Sequence, residues 1–248
     1  MISAWITIVV LAVLCYFATR KMKLIPRGLQ NVMEAGVEAL ANFVDGVAGE
    51  EKGRKFFPIV ATIFIFVFAN AWLALIPGFI SIGFWHEIHG EEVLVPLFRG
   101  ANTDLNVPLA LALISFVFVE YWGIRYQGFL RYMKKFVNLG NLVGSAKQLA
   151  RGKVKSSLGL LVNGAIDAFV GLVEGLSELI RVVSFTFRLF GNMTAGEILL
   201  GSMMFLIPWV VAIPFYGLEL FVGFVQALIF SGLTLVFVVM AATSHEEH

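Results

Sequence analysis

Charged residues are sparse in this chain of 248 residues: Asp, Glu, Lys and Arg make up 14% of it, against 59% hydrophobic residues and a mean hydropathy of +0.87. That balance excludes a soluble globular domain and describes a polytopic membrane protein. Cys15 is the only cysteine, so no intrachain disulfide forms; inside an apolar run it reads as small apolar filler and is silent about redox compartment. No Walker motif, glycine-rich dinucleotide turn or nucleophile elbow occurs, which argues against nucleotide chemistry on this chain and gives no reason to expect a cofactor. A net charge of +1 without a basic face gives no footing for nucleic acid. No repeat of 20 to 50 residues and no inverted symmetry between halves is visible. Basic residues all but vanish late in the chain, where only Arg181 and Arg188 follow Lys155.

What is present is a series of apolar runs. Residues 2–19 (ISAWITIVVLAVLCYFAT) are long enough to cross a hydrocarbon core of about 30 Å. Their positive charges, Arg20, Lys21, Lys23 and Arg27, follow the run, so it reads as an uncleaved helix with its N-terminus outside. Residues 28–49 place Leu29, Val32, Met33, Val37, Leu40, Phe43, Val44 and Val47 at helical spacing with acids between them. This pattern predicts an amphipathic helix on the cytoplasmic surface. Further spans are predicted over residues 56–82 and 105–124, with an acidic loop between them. Lys and Arg number 7 in residues 20–55, 1 in 83–104 and 8 in 125–155, a positive-inside pattern that puts both basic loops in the cytoplasm.

Two long stretches follow, residues 157–200 and 203–242. A helix of about 40 residues is about 60 Å long, twice the hydrocarbon thickness, so each must be steeply tilted or broken. Pro208 and Pro214 mark the start and a bend of the second. The predicted fold class is an all-α polytopic membrane protein, one domain over residues 1–248, with about five membrane-crossing helices, the last two long and tilted, plus one surface helix. The C-terminus is expected in the cytoplasm.

Within SFTFRLFGNMTAGE, residues 184–197, Arg188 places a permanent charge among apolar neighbours, at a cost of about 3 kcal/mol or more on insertion scales. At 100° per residue Asn163, Asp167, Glu174, Ser177, Glu178, Arg181, Ser184 and Asn192 share one helical face with Arg188, and Glu197 falls about 180° away. Glu219 and Gln226 are seven apart on the last helix, with Gly223 between them permitting close backbone approach. The stripe is either a solvated face or an aqueous path, in which acids on two helices relay protons and an arginine interrupts the relay or holds a moving carboxylate.

RLFGNMTAGE, followed by Glu219, by QALIF from Gln226 and by the terminal EEH, resembles subunit a of F-type ATP synthases. The likeness extends over nearly the whole chain, since NTDLNVPL at residues 102–109 is similar to that family's lead-in to its middle helices. The resemblance implies a proton-conducting stator that has no enzyme activity alone, set in an energy-transducing membrane such as a bacterial plasma membrane. Its implied partners are the c-ring, peripheral-stalk subunit b, membrane lipids and H⁺ or Na⁺. Arg188 would face the carboxylates of the rotating ring, with Asn192 and Gln226 as polar neighbours. Glu197 and Glu219 would line the half-channel open to the outside, and Glu174 and Arg181 would lie nearer the cytoplasmic path. Some family members carry histidine at one of the two positions held here by Glu197 and Glu219, so their relay and pH response do not transfer unchanged.

Weaker signals stay open. His86, Glu87, His89, Glu91 and Glu92 form either a metal site or an ordinary wet acidic loop, and the spacing favours the loop, so no metal is expected. Glu120 either lines a path or snorkels to the interface. The rival function is a secondary transporter in which Arg188 pairs with an anionic substrate.

Overall fold

A computed structural model describes residues 2–20, 22–23, 25–76, 83–88, 91–96, 99–129, 132–133, 154–206 and 212–243. In chain order the elements are α1 (Ile2–Thr19), α2 (Leu29–Ala48), α3 (Glu50–Ala74), β1 (Gly83–Ile88), β2 (Glu91–Pro96), a 3-10 turn (Ala101–Thr103), α4 (Asn106–Gln127), α5 (Val154–Leu206) and α6 (Ala212–Thr243). Among the described residues, four helical stretches are long and apolar enough to cross a membrane: Ile2–Thr19, Glu50–Ala74, Asn106–Gln127 and Ile213–Thr243. α5 is the exception among the five expected crossings. Its 53 residues reach about 80 Å, but Asp167, Glu174, Glu178, Arg181, Arg188 and Glu197 interrupt its apolar character.

The all-α class holds, and three details of it need correction. The second long helix, Glu50–Ala74, begins ahead of residue 56, because Glu50 and Glu51 occupy its first turn, where acids meet the positive end of the helix dipole; residues 77–82 of the expected span lie outside the described residues. The segment expected as a plain loop holds an antiparallel pair, with Gly83 opposite Pro96 and Ile88 opposite Glu91, so one hairpin joins the helices. Its strands, GFWHEI and EEVLVP, carry the aromatic and β-branched residues that suit a pleated surface. The expected bend at Pro214 is instead the first turn of α6, where a missing N–H costs little; residues 203–206 belong to α5, and Pro208 lies outside the described residues.

α2 folds back on α3 through Gly49, whose φ of 76° suits glycine, and Gly53 lies where a Cβ would collide with Asp45. Val44 of α2 is thereby buried among Phe56, Val60, Phe118, Val119, Leu235 and Val238. A second cluster joins Ile63, Phe64, Val67 and Ala71 of α3, Leu111 and Ala112 of α4, Phe185, Leu189 and Met193 of α5, and Ala227 and Phe230 of α6. α3 and α6 approach closely at Gly223, where an added Cβ would stand 2.9 Å from that of Ala71. The Ser115 and Thr234 hydroxyls, 2.7 Å apart, tie α4 to α6 without leaving a buried polar group unmet.

α5 buries one face. Gly164, Gly171, Glu178 and Phe185 recur at seven-residue steps, and Leu189, Met193, Gly196 and Leu200 continue the line. The opposite face leaves Phe169, Leu172, Leu176, Leu179, Val183 and Phe187 exposed. Exposed apolar area on this scale belongs against lipid or another protein.

Candidate functional site

Arg188 stands at one edge of the buried face of α5, half-buried, with its guanidinium carbon 5.9 Å from the ring centroid of Phe185. Among the described residues no carboxylate pairs with it. One turn on, Asn192 Nδ2 donates to Gln226 Oε1 at 2.6 Å, which joins α5 to α6 beside the arginine. Gln226 is 2% exposed, and its Nε2 has no acceptor among the described residues. An arginine and two amides therefore share one patch, with donors in excess of acceptors.

Glu197 emerges at the other edge of the same buried face, as its half-turn offset from Arg188 requires. It lines a cavity of about 300 Å³ together with Glu219, Asn70, Asn102 and Tyr216. α3, the 3-10 turn, α5 and α6 all contribute walls. Glu219 comes from α6, is 8% exposed and makes no ion pair among the described residues. Its carboxylate fits because residue 196 is glycine; a Cβ there would collide with it. Asn102 is buried, donates Nδ2 to the Val67 carbonyl at 3.3 Å and keeps Oδ1 without a donor among the described residues. Two carboxylates and an unmet amide oxygen around one cavity suit water and proton exchange.

Toward the N-terminal half of α5 the polar groups are knit together. Arg181 Nη1 lies 2.6 Å from Glu178 Oε2, and the Arg181 guanidinium lies over the Phe237 ring of α6 at 3.9 Å from its centroid. Tyr132, beyond the end of α4, donates its hydroxyl to Glu120 Oε2 at 2.6 Å. Its ring rests on Gly123, where an added Cβ would stand 2.7 Å from it. Burial, and then the Glu120 hydrogen bond, push the Tyr132 phenol above its ordinary range. Glu120 is thus part of a packed cluster. Glu174 lies two turns before Arg181 on the same face and is half-buried, as is Asp167. The Asn163 side chain, and the side chains of the His86 to Glu92 group, lie outside the described residues.

The sequence-predicted residues therefore fall into three places. Arg188, Asn192 and Gln226 form one group; Glu197 and Glu219 form a second; Arg181 joins Glu178 in the third, with Glu174 along the same face. Sequence reasoning missed Arg99, whose Nε donates to Glu197 at 2.9 Å from Oε1 and 3.2 Å from Oε2. A signal existed: Arg99 is the one basic residue in 83–104. It also missed Gly196 and Tyr132, for which pattern alone gives no sign.

A family model described as ATP synthase A chain matches residues 1–239. A Helicobacter pylori protein named ATP synthase subunit a is 33% identical over 97% of this chain and 90% of its own length. A Campylobacter jejuni protein of the same name is 35% identical over 95% of this chain and 86% of its own length. With the family model covering nearly the whole chain, and with relatives this similar end to end, the chain belongs to the ATP synthase A chain family.

Proposed function

We propose that this chain is the proton-conducting stator of a rotary ATP synthase, with Arg188 separating two aqueous half-paths that deliver protons to and from carboxylates on a rotating c-ring. One observation carries the reading: Arg188 has no anionic partner among the described residues, while two carboxylates share a cavity on the opposite edge of the same helix. A guanidinium does not deprotonate, and no described carboxylate neutralises it, so an anion brought from outside the chain meets an unopposed charge. A ring carboxylate arriving at the exposed face of α5 supplies that anion. At 4 Å and an effective dielectric of 20 the attraction is about 4 kcal/mol, which favours ionisation, while desolvation opposes it. The near balance lets the anion leave as the ring turns. The fixed charge also repels a hopping proton, so protons cross by rotation and do not leak.

Glu197 and Glu219 serve the half-path open to the outside, and Glu174 and Arg181 lie along the cytoplasmic one. Asn192 and Gln226 keep the ring-facing patch polar without adding charge. The positive-inside count supports an N-terminus outside and a C-terminus in the cytoplasm, in a bacterial plasma membrane. Lipids cover the remaining apolar surface, and the peripheral-stalk subunit b holds the stator. Membership of the family favours this reading over a secondary transporter, which would bind an anionic substrate at Arg188 and work alone.

The test is Arg188→Ala and Arg188→Lys in the whole complex reconstituted into vesicles. Both variants should assemble and fail to synthesise ATP, and Ala should let protons leak passively. Lysine loses its charge on burial more readily and lacks the planar fork. Coupled synthesis near the normal rate in Arg188→Ala would end the reading.

A further inference from the structure

Arg99 is the lone Lys or Arg between α3 and α4, and its backbone is fixed from three directions. The Ser3 hydroxyl of α1 donates to the Arg99 carbonyl. Gly100, next in sequence, lies so near α3 that an added Cβ would stand 3.1 Å from the Cβ of Ala74. Asn102 then donates to the Val67 carbonyl, as described above. From this anchored base the side chain crosses to α5 and meets Glu197.

Two cavities meet at that ion pair. The first holds Glu197 and Glu219. The second, about 490 Å³, is bordered by Ser3, Arg99, Thr103 and Asp104, and Gly100 and Thr103 border both. The Arg99 side chain is 54% exposed and that of Glu197 17%, so the pair runs from open water to an enclosed wall. Asp104, the other acid at the second cavity, is already engaged: its Oδ1 accepts from the Asn106 backbone N–H at 3.1 Å and from Asn106 Nδ2 at 2.9 Å.

We propose that Arg99 is a positioning residue for proton exchange with the outside: it holds the Glu197 carboxylate at the wall between the two cavities, and the second cavity is the vestibule through which water reaches it. The inference rests on Glu197 carrying protons. Carboxylate rotamers on a helix surface are several, and the Arg99 guanidinium, on a segment tied down at Ser3 and Asn102, selects the one that borders the first cavity beside the second. A pair exposed on one side is weak enough to open when Glu197 takes up a proton. Arg99 thus orients the carrier without trapping it.

The test measures ATP-driven proton pumping by the assembled complex in vesicles, normalised to co-purified complex, for Arg99→Gln, Arg99→Lys, Glu197→Gln and the double Gln variant. Arg99→Gln should lower pumping roughly fivefold, the scale of a half-exposed ion pair. Arg99→Lys should recover part of the loss. Arg99→Gln should add nothing once Glu197 is Gln, because the two act as one unit. Normal pumping in Arg99→Gln beside reduced pumping in Glu197→Gln overturns the role of Arg99 alone. Normal pumping in Glu197→Gln overturns both assignments, and a fully additive loss in the double variant marks a merely structural Arg99 and overturns the proposal too. Independently, Thr103→Cys in a Cys15→Ser background, labelled by an impermeant thiol reagent at the outer face of intact cells before the vesicles are prepared, should slow pumping. Undiminished pumping at complete labelling removes the vestibule.

Discussion

α5 carries acids toward both of its ends, and the two ends treat them differently. At the cavity end, Glu197 and the facing Glu219 border open space and meet one half-exposed arginine. At the cluster end, Glu178 meets Arg181 at 2.6 Å, the arginine lies against Phe237, and Tyr132 closes over Glu120. The same residue types thus build a place that opens onto a cavity and a place that holds charge in fixed geometry. Residue count does not separate these cases; what each carboxylate faces does. Arg188 lies between them on α5 and belongs to neither.

If the cluster end is held by charge, removing the cation there should have the largest effect on stability. Arg181→Met leaves buried Glu178 without its guanidinium, and breaking a buried pair costs about 3–5 kcal/mol. The amount of assembled complex should fall sharply, and Glu178→Gln in the same chain should restore part of it. A stable Arg181→Met protein would erase the contrast between the two ends.

At the cavity end the expected loss is of transport and not of assembly. The double variant Glu197→Gln and Glu219→Gln removes both titratable groups from the cavity, and lost proton transfer by positioned acids costs about a hundredfold or more. Proton flux in vesicles should drop on that scale while subunit co-purification stays normal. Coupled synthesis at the normal rate in this variant would remove both residues from the path.

Gly196 sharpens the comparison, because its missing side chain makes room for the Glu219 carboxylate. Gly196→Val should displace that carboxylate, and overpacking of this kind costs about 2 kcal/mol. Gly196→Ala should lie between Val and the natural residue in proton flux. Equal flux in all three would mean that the Glu219 carboxylate can leave its seat without consequence.

The sequence made some of this legible and hid the rest for physical reasons. Helix α1 coincides with the first apolar run, because basic residues close it abruptly at Arg20. α3 begins at Glu50, ahead of the apolar run that starts at residue 56, since hydropathy does not register two glutamates that suit a helix N-terminus. The 180° offset between Arg188 and Glu197 follows from helix period alone, while packing decides that the buried face lies between them. Arg99 is another matter. It lies 98 residues from Glu197 in the chain, and no period connects a turn before α4 to a helix after it. Long-range pairs between a loop and a helix are written in the tertiary fold, not in local pattern.

The smallest expected effect tests whether the cluster end is closed by packing as well as by charge. Tyr132→Phe keeps the ring seated on Gly123 and removes the hydrogen bond to Glu120 Oε2. One such bond is worth about 1 kcal/mol, which in a chain of this size lowers the melting temperature by about 2–4 °C. The phenol is held above its ordinary value of 10.0, so its neutral form is favoured in the folded protein. A raised value means that this contribution is complete below pH 10.0 and is lost as pH rises through the folded value. The melting gap between Tyr132 and its Phe variant should therefore be constant from neutral pH to the region of 10.0 and shrink only above it. A gap that closes between about pH 7 and 9 would show that the phenol ionises there, and the cluster end would then be as open to water as the cavity end.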